Sequence, residues 1–454
     1  MYVQALPGPI SLAVEAARLC GLPGLAWLDG EARHADGRWS FLGVQPRESV
    51  RVFGADPCPL AAFDRIAPGG ESPDEPAPNV AGAPTPSEVP RWIGYVAYDA
   101  YRAERLPPDR PVLCFGRYRA LLCVHHPDGR AFVVGDDEAA CRQLLALRDS
   151  APAPSLAPTR VAELEVTPAA QHRRAIEVAL EHIAAGDIYQ VNLARRWQGG
   201  FEGDPVALSL ALRNASPVPF GFHFDDGQRT VVARTMERFL RHDRSAGLLS
   251  TRPIKGTIER AGGRDRQEAE ALAADPKERA EHSMIVDLMR NDLGRVAEIG
   301  SVRVGPVMAV EPFAGLSHLV STVSCRPAAE VSTRRILEAT FPPGSVTGAP
   351  KLRAIDVIEA REARARDVYN GAVGAVDRSG GLSLAVAIRT AIVEPARVRY
   401  WAGGGIVEAS DPGREVAETE LKARVFLDAL GGLKCADLSL SPSQDLRYMR
   451  RQVG

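Results

Sequence analysis

The sequence predicts a protein that mixes strands and helices, and two observations carry that reading. Short β-prone runs crowd the first 150 residues: RWSFLGV at 38–44, RWIGYVAY at 91–98 and RALLCVHH at 119–126. Each has the length and the aromatic and β-branched content of a strand. Later, amphipathic segments alternate with further strand-like runs, with no fixed-period repeat. TPAAQHRRAIEVALEHIAAGDI (167–188) predicts a helix capped by Thr167 and ending near Gly186. PKERAEHSMIVDLMRND (276–292) starts with proline at a first helical position and keeps apolar residues at 284, 285, 288 and 289. SDPGREVAETELKARVFLDAL (410–430) opens on a Ser-Asp-Pro cap and stops before Gly431-Gly432. SLAVAIRT (383–390) reads as a strand ending in Arg389.

Two proline-rich stretches punctuate this pattern. PDEPAPNVAGAPTPSEVP (73–90) reads as a surface insertion, and APAPSLAP (151–158) as a linker. They divide the chain into a sheet-rich region over 1–150, a linker over 151–160, a second domain over 161–432 and a polar tail over 433–454. A net charge of −2 argues against broad attraction to nucleic acid or anionic lipid, so an anionic ligand must be gripped locally. The seven cysteines are odd in number and contain no CxxC pair, which fits a reducing compartment. No basic leader precedes an apolar core and no run approaches 18 apolar residues, so the expectation is a cytoplasmic protein that does not engage a membrane.

Only five of the 55 basic residues are lysines. A lysine kept in an arginine-rich chain marks a place where a compact, deprotonatable amine is useful, and Lys255 in TRPIKGT is one candidate. Glu278 and Glu281 are three apart on one predicted helix, as are Glu415 and Glu418 on another. Each pair shares a helix face and would suit a hard cation such as Mg²⁺, although glutamates so spaced commonly lie on a solvated face. Lys422 stands four residues after Glu418, the spacing of a helical ion pair. FPPGSVTGAPK (341–351) and WAGGGIV (401–407) offer backbone N–H groups to an anion, or are simply tight turns. His318 sits among apolar neighbours, compatible with core or catalytic use.

Taken in order, these stretches resemble the chorismate-utilising enzymes, which include anthranilate, aminodeoxychorismate, isochorismate and salicylate synthases. The resemblance runs through GDIYQVNLARR (186–196), TRPIKGT (251–257), KERAEHSMIVDLMRNDLGRV (277–296), HLVSTV (318–323), FPPGSVTGAPKLRAI (341–355), YNGAVG (369–374), AIRT (387–390), GGGIVEASDP (403–412) and ETELKA (418–423). It implies an α+β fold of two packed antiparallel β-sheets flanked by helices, with the active site in a cleft. It also implies Mg²⁺ on Glu281 and Glu418, with Glu278 and Glu415 beside them. By the same resemblance Tyr369, Arg389, Lys422 and the backbone of Gly403, Gly404 and Gly405 hold the carboxylates of chorismate, and His318 lies near the reacting ring.

Within that family, water-adding members carry a lysine where this chain has Gln190, so ammonia is the expected nucleophile. Anthranilate synthases have alanine at the position of Lys255, whereas PIKGT is the form of the aminodeoxychorismate branch. The implied reaction aminates chorismate at C4 through a covalent Lys255 intermediate, with burial favouring the neutral amine. Its product, 4-amino-4-deoxychorismate, is the precursor of 4-aminobenzoate and folate. Glu237 is assigned as acid and base, although Thr235-Met236 stand where Ser-Pro is usual, and Thr257 is placed with the catalytic group. No glutaminase region is present, so a separate glutamine amidotransferase subunit is the expected ammonia source. The alternatives are anthranilate synthase component I and a catalytically silent chorismate- and Mg²⁺-binding regulator.

Overall fold

Strand pairing crosses the proline-rich linker, so the two larger sheets each take strands from both halves of the chain. The computed structural model describes residues 1–31, 34–68, 80–259, 270, 272, 274–313 and 316–431. Among these, the strands form three antiparallel sheets of twelve, nine and three members. The largest begins with five N-terminal strands, ending at Ala26–Asp29, which pairs with Phe220–Asp225 so that Trp27 lies opposite His223. It continues through Thr230–Thr235, Thr390–Glu394 and Arg397–Ile406 to the long strand Gln190–Glu202. The second sheet is likewise composite: Pro90–Val96 pairs with Ala372–Asp377, Gly94 opposite Gly374.

Alternation along these strands turns one apolar row of each sheet inward. Ile93, Tyr95 and Val373 of the second sheet share a core with Phe222, Phe224 and Val231 of the first. Helices cover the outer faces. Pro412–Gly431 packs Phe426 with Val398 and Tyr400 of the large sheet, and Pro276–Gly294 packs Ile285 and Met289 with Phe239 and Leu240 of the second. The observed architecture is the α+β one that the resemblance implies.

Element ends depart from the sequence reading at several points; the last helix, for one, takes in Gly431, before which it was expected to stop. The first helix after the linker spans Ala169–Ala184, with Pro168 and not Thr167 at its N-cap. Thr167 Oγ1 instead accepts from the backbone N–H of Arg196 at 3.1 Å, at the edge of the long strand. The strand expected to end in Arg389 stops at Val386. Arg389 adopts φ 52°, in the left-handed region where no strand continues. The tail over 433–454 and residues 73–79 of the proline-rich insertion lie outside the described residues. Among the described residues no helix is long and apolar enough to cross a membrane.

Candidate active site

Lys255 is aimed by a bulge. The strand Ile254–Glu259 pairs with Leu316–Val320, but the register slips: Lys255 lies opposite Leu319 and Thr257 opposite His318, leaving Gly256 as the extra residue. Gly256 takes φ 67°, the left-handed conformation that such a bulge requires and that glycine adopts without steric cost. A Cβ there would come within 3.0 Å of Leu272 Cδ1 and 3.1 Å of Glu278 Oε2. The Lys-Gly pair in PIKGT is therefore a geometric unit.

The bulge also orients His318. Its Nδ1 lies 2.9 Å from the Gly256 carbonyl, which can only accept, so Nδ1 carries the proton. Burial pushes this imidazole below its ordinary pKa; the Gly256 carbonyl opposes that shift, and the charges of Arg389 and Lys422 add to it. His318 is accordingly neutral near pH 7.

Lys255 and His318 face a cavity of about 590 Å³ between the sheets' open ends and the helices Pro276–Gly294 and Pro412–Gly431. Glu278 and Glu281 enter from the first helix, Glu415 and Glu418 from the second, and Glu237, Tyr369, Arg389, Gly403, Gly405 and Lys422 complete the wall. Gln190 lies one layer back, fully buried, behind Gly405. A Cβ on Gly405 would sit 2.8 Å from Gln190 Nε2 and 3.1 Å from Lys255 Nζ, so the glycine is what lets both side chains approach that backbone. Gly404, next along the strand, turns instead toward Glu415. The side chain of Thr257 lies outside the described residues.

Neighbouring groups hold several of these side chains in place. Lys422 Nζ bridges Glu418 Oε1 at 2.6 Å and donates to the Gly403 carbonyl at 2.9 Å, and burial lowers its pKa. Ser410 Oγ donates to Glu415 Oε1 at 2.7 Å, and Arg389 Nη1 donates to the Lys422 carbonyl at 2.9 Å. Among the described residues no three His, Cys, Asp or Glu side chains are gathered as a ready ligand set. The four carboxylates nonetheless share one cavity, and all-oxygen donors suit a hard cation that keeps several waters. Glu237 is 5 % exposed, and its pKa is pushed up to about 7: burial raises it, while a hydrogen bond from Ser345 and the charge of Lys255 pull it back.

Two amides escaped the sequence reading. Asn192 and Asn370 line the cavity, and the Oδ1 of each is buried without a hydrogen-bond partner. Asn192 lies two residues after Gln190 and directly opposite Gly405, so strand alternation was the signal that could have found it. Arg366, fully buried, was also missed. It donates to the carbonyls of Asn192 at 2.6 Å and Val346 at 3.1 Å, tying two walls of the cavity together.

Comparison with known proteins gives this geometry a context. The family described as chorismate binding enzyme matches residues 32–428. Aminodeoxychorismate synthase component 1 of Klebsiella aerogenes is 33 % identical, over 88 % of this chain and 92 % of that protein. Aminodeoxychorismate synthase of Streptomyces griseus is 38 % identical over 75 % of this chain, and the match spans only 50 % of that longer protein. The crystal structure of anthranilate synthase component I from Streptococcus pneumoniae TIGR4 superimposes with a TM-score of 0.73 at 28 % identity, covering 86 % of this chain and 92 % of that one.

Proposed function

The chain belongs to the chorismate binding enzymes, and from that premise we propose that it aminates chorismate at C4 to give 4-amino-4-deoxychorismate. The observation that carries this reading is Lys255, an amine aimed by its bulge into a cavity that also holds Glu237 and four carboxylates. Binding alone would not need such a nucleophile.

The amine of Lys255 attacks C2 of the ring with its electron pair, the ring double bonds shift, and the C4 hydroxyl leaves as water with a proton from Glu237. Ammonia then bonds to C4, the C2–N bond breaks, and Lys255 regains its electron pair. The surplus proton on the new amine returns to Glu237. Two successive displacements put the amine on C4 and not on C2. A pKa near 7 suits Glu237 to both transfers. Gln190 has no basic atom with which to activate water, which supports ammonia as the nucleophile. Arg389, Lys422 and Tyr369, with the N–H groups of Gly403 to Gly405, take the substrate carboxylates, and neutral His318 lies against the ring. Mg²⁺ held by Glu281 and Glu418, with Glu278 and Glu415 beside them, would supply positive charge to the ring carboxylate. The words "component 1" in a relative's name support a separate glutaminase subunit as the ammonia source.

The test is to incubate the protein with chorismate, MgCl₂ and an ammonium salt at mildly alkaline pH and to identify the products by mass. Exchange of the ring hydroxyl for an amine is expected. Anthranilate with pyruvate would replace this reading by the sister activity, and unchanged chorismate would leave a binding protein.

A further inference from the structure

The long strand Gln190–Glu202 is paired along one edge to Arg397–Ile406, but along its other edge only near its ends. Gly348–Ala349 takes Gln190 and Val191, and Arg160–Val166 takes residues from Trp197 onward. Between them the edge is a notch: Asn192 N still donates to the Thr347 carbonyl at 2.8 Å and the Arg196 carbonyl accepts from Thr167 N at 2.9 Å, while side chains meet the rest, Ala194 N donating to Glu362 Oε1 at 2.9 Å and Arg196 N to Thr167 Oγ1 at 3.1 Å. A second cavity of about 290 Å³ opens there.

Its wall is cationic. Arg196, Arg361 and Arg364 all line it, and none makes an ion pair among the described residues. Two carboxylates are present. Glu362 is held by Arg366 at 2.6 and 2.9 Å and so is already neutralised, while Glu165 is exposed at the rim. His172, only 3 % exposed, lines the same cavity with an Nε2 that has no hydrogen-bond partner. The first turn of the Ala169–Ala184 helix, which has no side-chain cap, forms another part of the wall. Burial, then the charges of Arg364, Arg399 and Arg397, push Arg196 down to about 10, with Glu165 opposing. Guanidiniums without carboxylate partners, lining one cavity beside an unpartnered imidazole nitrogen and an uncapped helix turn, are the chemistry of an anion site.

We propose that this notch is a second ligand site, for a small oxyanion with two negative charges of the phosphate or dicarboxylate class, coupled to the substrate cavity through Trp401. The coupling follows from strand register. On one sheet face Asn192 lies opposite Gly405, Ala194 opposite Gly403 and Arg196 opposite Trp401. The first steps belong to the substrate cavity, the last to the notch, and Trp401 lines both. Its indole stacks on Tyr369 with centroids 5.9 Å apart and planes 8° apart. An anion drawn against Arg196 therefore changes the packing of a side chain that walls the substrate. The site does not depend on which atom of chorismate is aminated.

The experiment titrates the purified chain with inorganic phosphate, and separately with succinate, without Mg²⁺ or chorismate and at ionic strength held constant with NaCl. Tryptophan fluorescence and melting temperature are followed. A saturable response is expected, and the anion that saturates at lower concentration identifies the class. In the Arg361→Ala/Arg364→Ala double variant, both exposed positions, the midpoint should rise at least about tenfold, because charge-assisted hydrogen bonds are lost. That variant should melt like the wild type in NaCl alone. Trp401→Phe should keep the melting response and lose the fluorescence change. A titration identical in the double variant, or one that NaCl reproduces at equal ionic strength, overturns the proposal.

Discussion

Lys255 and Lys351 each sit beside glycine or proline, yet they do opposite things. Lys351, at the start of the helix Lys351–Arg361, places Nζ 2.6 Å from Asp292 Oδ2 and 2.8 Å from the Thr340 carbonyl, with both side chains nearly enclosed. Lys255, on its bulge, makes no hydrogen bond or ion pair among the described residues and faces the substrate cavity. The first charge is satisfied where it is buried and serves the fold. The amine of Lys255 faces the cavity and is available for chemistry. Burial alone does not separate them; the partner does.

The largest effect should come from removing the unsatisfied amine. Lys255→Ala should lower C4 amination by about 10⁴-fold or more, the scale of losing a nucleophile. The adduct trapped on the wild type and seen by intact mass should disappear. Stability should stay within about 0.5 kcal/mol, since the side chain leaves no unpaired partner. A fully active variant would refute the covalent route.

Glu237→Gln comes next, with a loss of about 10²–10⁴-fold expected for a group that transfers protons in both steps. The direction of its pH dependence follows from its raised pKa: below about 7 the carboxyl is protonated and can donate, and above it that form is lost. Adduct formation should therefore fall as pH rises through about 7, and this limb should vanish in the glutamine variant. Rapid-quench measurement of the adduct across pH checks both.

Lys351→Ala should show the reverse pattern. Stranding Asp292 as a buried, unpaired carboxylate costs about 3–5 kcal/mol of stability, read as a shift of the urea midpoint. Turnover per folded molecule should change little. Adding Asp292→Ala should recover part of the loss, because the orphaned charge goes with it.

This contrast also marks where the sequence stopped being legible. PIKGT and GAPKL each set a lysine against proline and glycine, and neither string says whether a carboxylate waits nearby. Asp292 lies 59 residues from Lys351, and only the packing of two helices brings them together. The strands and helices were readable because period 2 and period 3.6 are local. So was the Glu418–Lys422 pair, whose spacing of four closes at 2.6 Å. The composite sheets were not readable from periodicity, because pairing Ala26–Asp29 with Phe220–Asp225 is a long-range choice. Asn192 and Asn370 stayed hidden for the same reason: a buried Oδ1 acquires meaning only once register sets it in the cavity. Arg389 misled because a left-handed residue can follow any strand-like string.

The smallest effect sharpens the comparison most, because it alters a neighbour's charge without touching Lys255. Ser345 donates a hydrogen bond to the charged form of Glu237 and holds its pKa down. Removing a donor from a carboxylate favours the protonated form, so Ser345→Ala should move the falling limb of adduct formation to higher pH. The lost hydrogen bond is worth about 0.5–1.5 kcal/mol, so the rate below pH 7 should change by less than about tenfold. Glu237 would then stay protonated over a wider range, and adduct formation above pH 7 should exceed that of the wild type. An unmoved limb would mean that a group other than Glu237 supplies the proton.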